Sequence, residues 1–212
     1  MSTYILTSMF HNGFSDEMVE LLQKKITERN RFAFVASEFE KDHRKTDKYF
    51  KFFLNMFKEK GIRFKKAYVV DGRMSAEKAQ KAVAEADVIW LSGGDTPSEF
   101  AYWQKYGLID VIRNHGGVVI GMSAGSINLA DTAICTRDCE HDYQAIYQGL
   151  GCVRISVEPH FVMGKLSDEL RELSESYVIY GLCDESYIVC ENDEIEFYGE
   201  IYKIEKGKAE RI

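Results

Sequence analysis

Short apolar runs alternate along the chain with longer segments whose apolar residues recur every three or four positions. Runs at 4–7, 32–36, 64–70 and 88–91 are rich in β-branched and aromatic residues and read as strands. The segment 15–28 reads as a helix, with Ser15 as cap, acids in its first turn, and Met18, Leu21, Leu22 and Ile26 on one face. A second helix, about 46–60, carries the stripe Tyr49, Phe50, Phe53 and Phe57 and stops at Gly61. Helical spacing makes that stripe a core face rather than a ligand box. Further helices are expected over 76–86 behind Ser75, and from 98 to about 115 with a break available at Gly107. Strands alternating with helices imply a mostly parallel sheet covered on both sides.

The fifth run is Val118-Val119-Ile120, followed by Gly121-Met122-Ser123-Ala124-Gly125 and a small-residue segment that suits a helix start. Strand, sharp turn and helix is the setting of a nucleophile elbow, in which flanking glycines let strand and helix approach closely. By chance G-x-S-x-G would occur in roughly 7% of chains this long, so the pattern gains its weight from the strand before it. The plainer alternative is a tight turn that uses small residues for packing. Beyond a run at 153–157 and a helix near 167–176 the pattern changes. Short strand-like segments at 177–181, 187–191, 195–198 and 201–204 predict antiparallel edge strands at the C-terminus. No linker marks a second domain, so 1–212 is expected to form one α/β domain.

Composition narrows the function. The chain has 212 residues, 45% of them hydrophobic and 29% charged, with a net charge of −7. That charge argues against a nucleic-acid surface. No stretch approaches membrane-spanning length, and the N-terminus has no basic, apolar leader. Five cysteines, an odd number, are expected as free thiols in a reducing cytoplasm. Cys135 and Cys139 have no second pair at ligand spacing, so a zinc site is not expected, and a serine mechanism would need neither a metal nor another cofactor.

In open α/β sheets ligands bind beyond the carboxyl ends of strands. The fourth strand ends in Ser92-Gly93-Gly94-Asp95, whose paired glycines allow a backbone NH to face a substrate oxygen. The same loop also reads as a plain turn capped by Ser98. A serine hydroxyl needs a base, and histidine is the default. His11 and His43 lie in early polar segments, His115 sits where a helix ends, and His141 lies in a charged loop. Only His160, in Glu158-Pro159-His160-Phe161, follows an apolar strand beyond the elbow. A carboxylate in Gly181-Leu182-Cys183-Asp184-Glu185-Ser186 suits the role of orienting it. Glu158, two residues before His160, is geometrically awkward for that role.

Three blocks, Leu91 to Thr96, Gly121 to Ser126 and Glu158 to Phe161, resemble the aspartyl dipeptidase (peptidase E) family of serine peptidases, cyanophycinase-like relatives included. Their order and spacing agree from about residue 86 to 190. The resemblance implies a three-layer α/β/α sandwich like that of class I glutamine amidotransferases. It implies Ser123 as nucleophile, His160 as general base, and the NH groups of Gly94 and Ala124 as the oxyanion hole. The family's third member is usually a glutamate in a Gly-Leu-x-Glu-Gly-like turn. Here Asp184 takes that position and Glu185 the glycine's, with Glu185 the alternative third member. The expected function is a cytoplasmic serine exopeptidase or dipeptidase acting on short peptides, Asp-X dipeptides among them. Nucleic acid and membrane are not expected partners, and no oligomeric state is specified. The alternatives are a non-peptidase amidase on the same fold and an inactive binding or sensor domain. For an acidic substrate side chain, Arg113, Arg137, Arg154, Lys165 and Arg171 are the candidate cations.

Overall fold

The computed structural model describes residues 2–139 and 143–212. The first half alternates β1 (Thr3–Thr7), α1 (Asp16–Lys25), β2 (Arg31–Val35), α2 (His43–Glu59), β3 (Lys66–Val70), α3 (Ala76–Ala84) and β4 (Val88–Leu91). There follow α4 (Thr96–Lys105), α5 (Ile109–Arg113), β5 (Val118–Met122) and α6 (Ala124–Leu129). The second half holds β6 (Thr132–Cys135), a 3-10 turn (Arg137–Cys139), β7 (Ala145–Gln148), β8 (Ser156–Pro159) and α7 (Asp168–Leu173). It ends in β9 (Ile179–Leu182), β10 (Tyr187–Glu191), β11 (Glu194–Tyr198), β12 (Ile201–Glu205) and β13 (Lys208–Arg211).

The main sheet has seven strands in the order β11-β10-β1-β5-β4-β2-β3. Strands β1 to β5 pair in parallel, and β10 and β11 add antiparallel at one edge. Side chains alternate across the sheet, which divides the core in two. Ile5, Phe32, Phe34, Val88, Trp90, Val118 and Ile120 pack on one face with Met18 and Leu22 of α1 and Phe53 and Phe57 of α2. Leu6, Ala33, Val35, Ile89, Leu91 and Val119 pack on the other with side chains of α3, α4, α5 and α6. The result is a three-layer α/β/α sandwich, and each fully buried large side chain stabilises it by about 1.5–3 kcal/mol. The α2 stripe is a core face only in part: Phe53 and Phe57 are buried and their rings meet Trp90, whereas Tyr49 is exposed and stands on a cleft wall.

Four strands, β13-β12-β9-β8, form a second sheet, and β6 and β7 a separate hairpin. Two details differ from the sequence expectation. The helix expected from Ser98 starts at Thr96, because the Asp95 side chain accepts from Ser98 N and Pro97 fits the first turn. Its break falls at Gly107, whose φ of 65° is a conformation that suits glycine. The strand expected at 153–157 forms instead at Ser156–Pro159, and Val153 makes only a single bridge to Ala130. No helix among the described residues is long and apolar enough to cross a membrane.

Candidate active site

Strand register brings the site together. In the parallel pair β1 and β5, Thr7 lies opposite Met122, so Ser8 and Ser123 leave the sheet side by side. Leu91 of β4 lies opposite Gly121, which sets the Ser92-Gly93-Gly94 loop beside Ser123. In the second sheet Pro159 of β8 lies opposite Leu182 of β9, so His160 and the 183–186 turn also leave together. Five strands thus end at one place.

Ser123 joins β5 to α6 at φ 50° and ψ −112°, a backbone strained for any residue but glycine by about 1–3 kcal/mol. The surroundings over-determine it. Ser123 N donates to Thr7 O (2.9 Å), and Ser123 O accepts from Ser126 N (2.8 Å) and Ile127 N (3.1 Å). The buried Ser126 Oγ accepts from Thr7 N (2.8 Å) and lies 2.8 Å from Thr7 O and 2.7 Å from Gly121 O. A Cβ on Gly125 would stand 2.5 Å from Leu91 O, so glycine is what allows α6 to approach β4. Gly93 packs against Ser123 less tightly, with its hypothetical Cβ 3.1 Å from Ser123 Cβ.

Ser123 Oγ lies 3.0 Å from His160 Nε2, and His160 Nδ1 lies 2.8 Å from Asp184 Oδ1. His160 also has a positive φ, 59°, and is held by donation of its N–H to Ser8 Oγ (2.8 Å). Burial works against charge on Asp184, yet hydrogen bonds from Ser8 (2.6 Å) and His11 (2.9 Å) and the facing His160 outweigh it. Its carboxyl is therefore held below the usual aspartate range. Glu185 points elsewhere. Its Oε1 accepts from His11 N (2.8 Å), Asn12 N (3.1 Å) and Asn12 Nδ2 (3.2 Å). Its φ of 69° explains why a glycine would be expected there, and these three bonds offset a cost of about 1–2 kcal/mol. Glu158 is buried and accepts from Thr136 Oγ1 (2.8 Å).

A cleft of about 480 Å³ opens beside Ser123 and His160, with Gly93, Gly94, Glu38 and Lys45 among its walls. Behind it, Asn128 Nδ2 donates to Thr96 O (2.9 Å) and Glu99 Oε2 (3.1 Å), tying α6 to α4. Burial pushes the Glu99 carboxyl well above the ordinary glutamate range, with Asp95 adding to it and the Asn128 bond opposing.

The structure gathers Ser123, His160, Asp184 and Gly94 at one site, with Ala124 next to Ser123 and Glu185 one layer out. None of the five cations proposed from sequence lines the cleft, and Lys45 of α2 does. Arg113 Nε donates instead to Leu150 O (2.7 Å), and Arg137 faces Glu169. His43 lies 3.4 Å from Asp71, His115 is buried at the far end of β5, and His141 lies outside the described residues. Sequence reasoning missed Ser8 and His11. Their signal was position, within four residues of the end of the strand that pairs with β5.

The fold recurs in solved structures. A peptidase from an acI-B1 Actinobacterium superposes with a TM-score of 0.70 at 14% identity, covering 100% of this chain and 94% of that one. A protein from Listeria monocytogenes EGD-e gives 0.66 at 17% identity, covering 93% and 98%. The chain belongs to peptidase family S51, whose model matches residues 5–198. It is similar to Peptidase E of Haemophilus influenzae Rd, with 31% identity over 96 residues, 44% of each chain. It is also similar to Peptidase E of Actinobacillus pleuropneumoniae serotype 5b, with 26% identity over 125 residues. That second match covers 56% of this chain and 53% of the relative, so about half the length of these curated relatives is matched. Family membership thus reaches well beyond the segment 86–190 that carries the motifs.

Proposed function

We propose that the protein is a serine peptidase that hydrolyses short peptides through an acyl-enzyme on Ser123. The observation that carries this reading is the chain of contacts from Ser123 Oγ to His160 Nε2 (3.0 Å) and from His160 Nδ1 to Asp184 Oδ1 (2.8 Å). Ionised Asp184 only accepts, so it selects the tautomer with the proton on Nδ1 and leaves Nε2 free as the base. Ser123 at its strained turn is a nucleophile elbow in this reading.

As Ser123 Oγ attacks the scissile carbonyl, its proton passes to His160 Nε2. The carbonyl oxygen becomes an oxyanion, which the NH groups of Gly94 and Ala124 stabilise. The C–N bond then breaks, the leaving amine takes the proton from His160, and the acyl group remains on Ser123. Water, deprotonated by His160, releases the acid and restores the serine. His160 is the general base and acid, and Asp184 orients it and stabilises the imidazolium.

The substrate class we propose is dipeptides and other short peptides, Asp-X dipeptides first among them, with neither nucleic acid nor membrane as partner. Lys45 on the cleft wall supplies the positive charge that a substrate carboxylate requires. A cytoplasmic location fits Cys135, Cys152, Cys183 and Cys190, which are all unbridged. The test is a dipeptide panel with free amino acids as readout. Ser123→Ala should fold with near-native stability and lose at least about 90% of any hydrolysis the wild type performs. A variant that kept more than that remainder would remove Ser123 from the mechanism.

A further inference from the structure

Each oxygen of the Asp184 carboxylate has its own partners. On Oδ1 converge His160 Nδ1 (2.8 Å) and the Ser8 hydroxyl (2.6 Å). On Oδ2 lies His11 Nε2, at 2.9 Å. The terminal torsion of an aspartate is broad and roughly two-fold, so partners on one oxygen alone leave the carboxylate plane loosely fixed. A donor on the second oxygen removes that freedom. Since an ionised carboxylate only accepts, His11 presents N–H at Nε2.

His11 is itself anchored. Glu185 Oε1 accepts from His11 N, Asn12 N and Asn12 Nδ2, and Glu185 N donates to Met9 O (2.8 Å). The two adjacent acids therefore divide the work, with Asp184 facing His160 and Glu185 holding the segment that brings His11 to Asp184. The His11 side chain is 61% exposed, so core packing does not force its contact with Asp184. Nor does His11 line the cleft beside Ser123. Among the described residues its side chain reaches the reacting atoms through Asp184.

We propose that His11 is a positioning residue for hydrolysis, donating to Asp184 Oδ2 so that the carboxylate plane meets His160 in the orientation that keeps Nε2 aimed at Ser123. Ser8 completes the seat from the buried side, accepting from His160 N while donating to Asp184 Oδ1. The proposal rests on the serine-peptidase reading above. It adds a fourth residue to the Ser123–His160–Asp184 chain, and gives Glu185 a task at one remove.

The test measures how fast a fluorophosphonate probe acylates Ser123, because that rate reports serine activation without a known substrate. Probe concentration is varied to separate the maximal rate from the half-saturating concentration. His11→Ala is expected to lower the maximal rate between about tenfold and a hundredfold and leave half-saturation unchanged. His11→Gln, whose amide donates from a similar distance, should recover most of the loss. Glu185→Gln should fall between wild type and His11→Ala. Thermal melting of each variant checks that the fold is kept, as the exposure of His11 predicts. A labelled wild type with His11→Ala at the same maximal rate overturns the role of His11 alone. So does a loss that His11→Gln does not recover. A wild type that the probe does not label overturns the serine reading, and the role of His11 with it.

Discussion

Asp184 meets His160 through Oδ1 and Nδ1 at 2.8 Å, although an aspartate is one methylene shorter than the glutamate expected at this place. The backbone makes up the difference. Strand β8 pairs in parallel with β9, with Pro159 opposite Leu182, and Phe161 N donates to Leu182 O (3.0 Å), so the 183–186 turn lies directly beside His160.

Exchanging the charge of the two neighbouring acids should therefore have unequal effects. Asp184→Asn is expected to cut kcat by at least about a hundredfold, because the amide favours the wrong histidine tautomer. Glu185→Gln should reduce kcat only severalfold, since it acts through His11. Steady-state kinetics on any hydrolysed dipeptide decide it, and the reverse ranking would give the orienting role to Glu185.

Acid should unmask the contribution of Asp184 to stability. Its carboxyl is held below the ordinary value by Ser8, His11 and His160, against the opposing effect of burial. Its contribution is present above the unfolded value, about 3.9, and is lost as pH falls through the lower folded value. The difference in unfolding free energy between wild type and Asp184→Asn should narrow as pH falls below about 4. A difference that widens in acid contradicts the shift.

Glu99 gives the opposite sign. Burial raises its folded value, so its contribution is complete below the unfolded value, about 4.3, and is lost as pH rises through the folded one. Glu99→Gln keeps the shape and the neutral group that bonds Asn128. Its stability relative to wild type should therefore rise as pH increases above about 5. Parallel stability curves for the two proteins would show that Glu99 does not titrate upward.

Ser126 joins β1, β5 and α6 beneath Ser123. Ser126→Ala leaves the N–H of Thr7 without the Ser126 acceptor in a buried place. The expected loss is about 1–3 kcal/mol, read from denaturant unfolding. A loss under about 0.5 kcal/mol would mean that the backbone relaxes to find another acceptor.

The main sheet was legible because β1, β2, β4 and β5 are short apolar runs bounded by glycine, polar turns and helix caps, a signal that needs no partner to be read. Ser123 and His160 stood out for a related reason, as each follows such a run directly. The hairpin β6–β7 was not foreseen. Its strands have four residues each, and those of β7 alternate between partly buried and exposed. Nor was β13, whose Lys-Ala-Glu-Arg sequence is polar and mostly exposed. The choice between Asp184 and Glu185 rested on an alignment of turns, and the contact of Asp184 with His160 depends on the β8–β9 register, which local sequence does not encode. His11 looked like a polar loop residue because its contact lies 173 positions away. The cleft cation was missed because Lys45 comes from α2, far in sequence from every motif.

The proposed reaction turns on Ser123 as the nucleophile, activated by His160. Its most direct measurement is the intact mass of the wild-type protein after incubation with a fluorophosphonate, followed by peptide mapping of the adduct. A single adduct is expected on Ser123, none on folded Ser123→Ala, and little on His160→Ala over the same time. An unmodified wild type, or an adduct on any other residue that persists in Ser123→Ala, would contradict it.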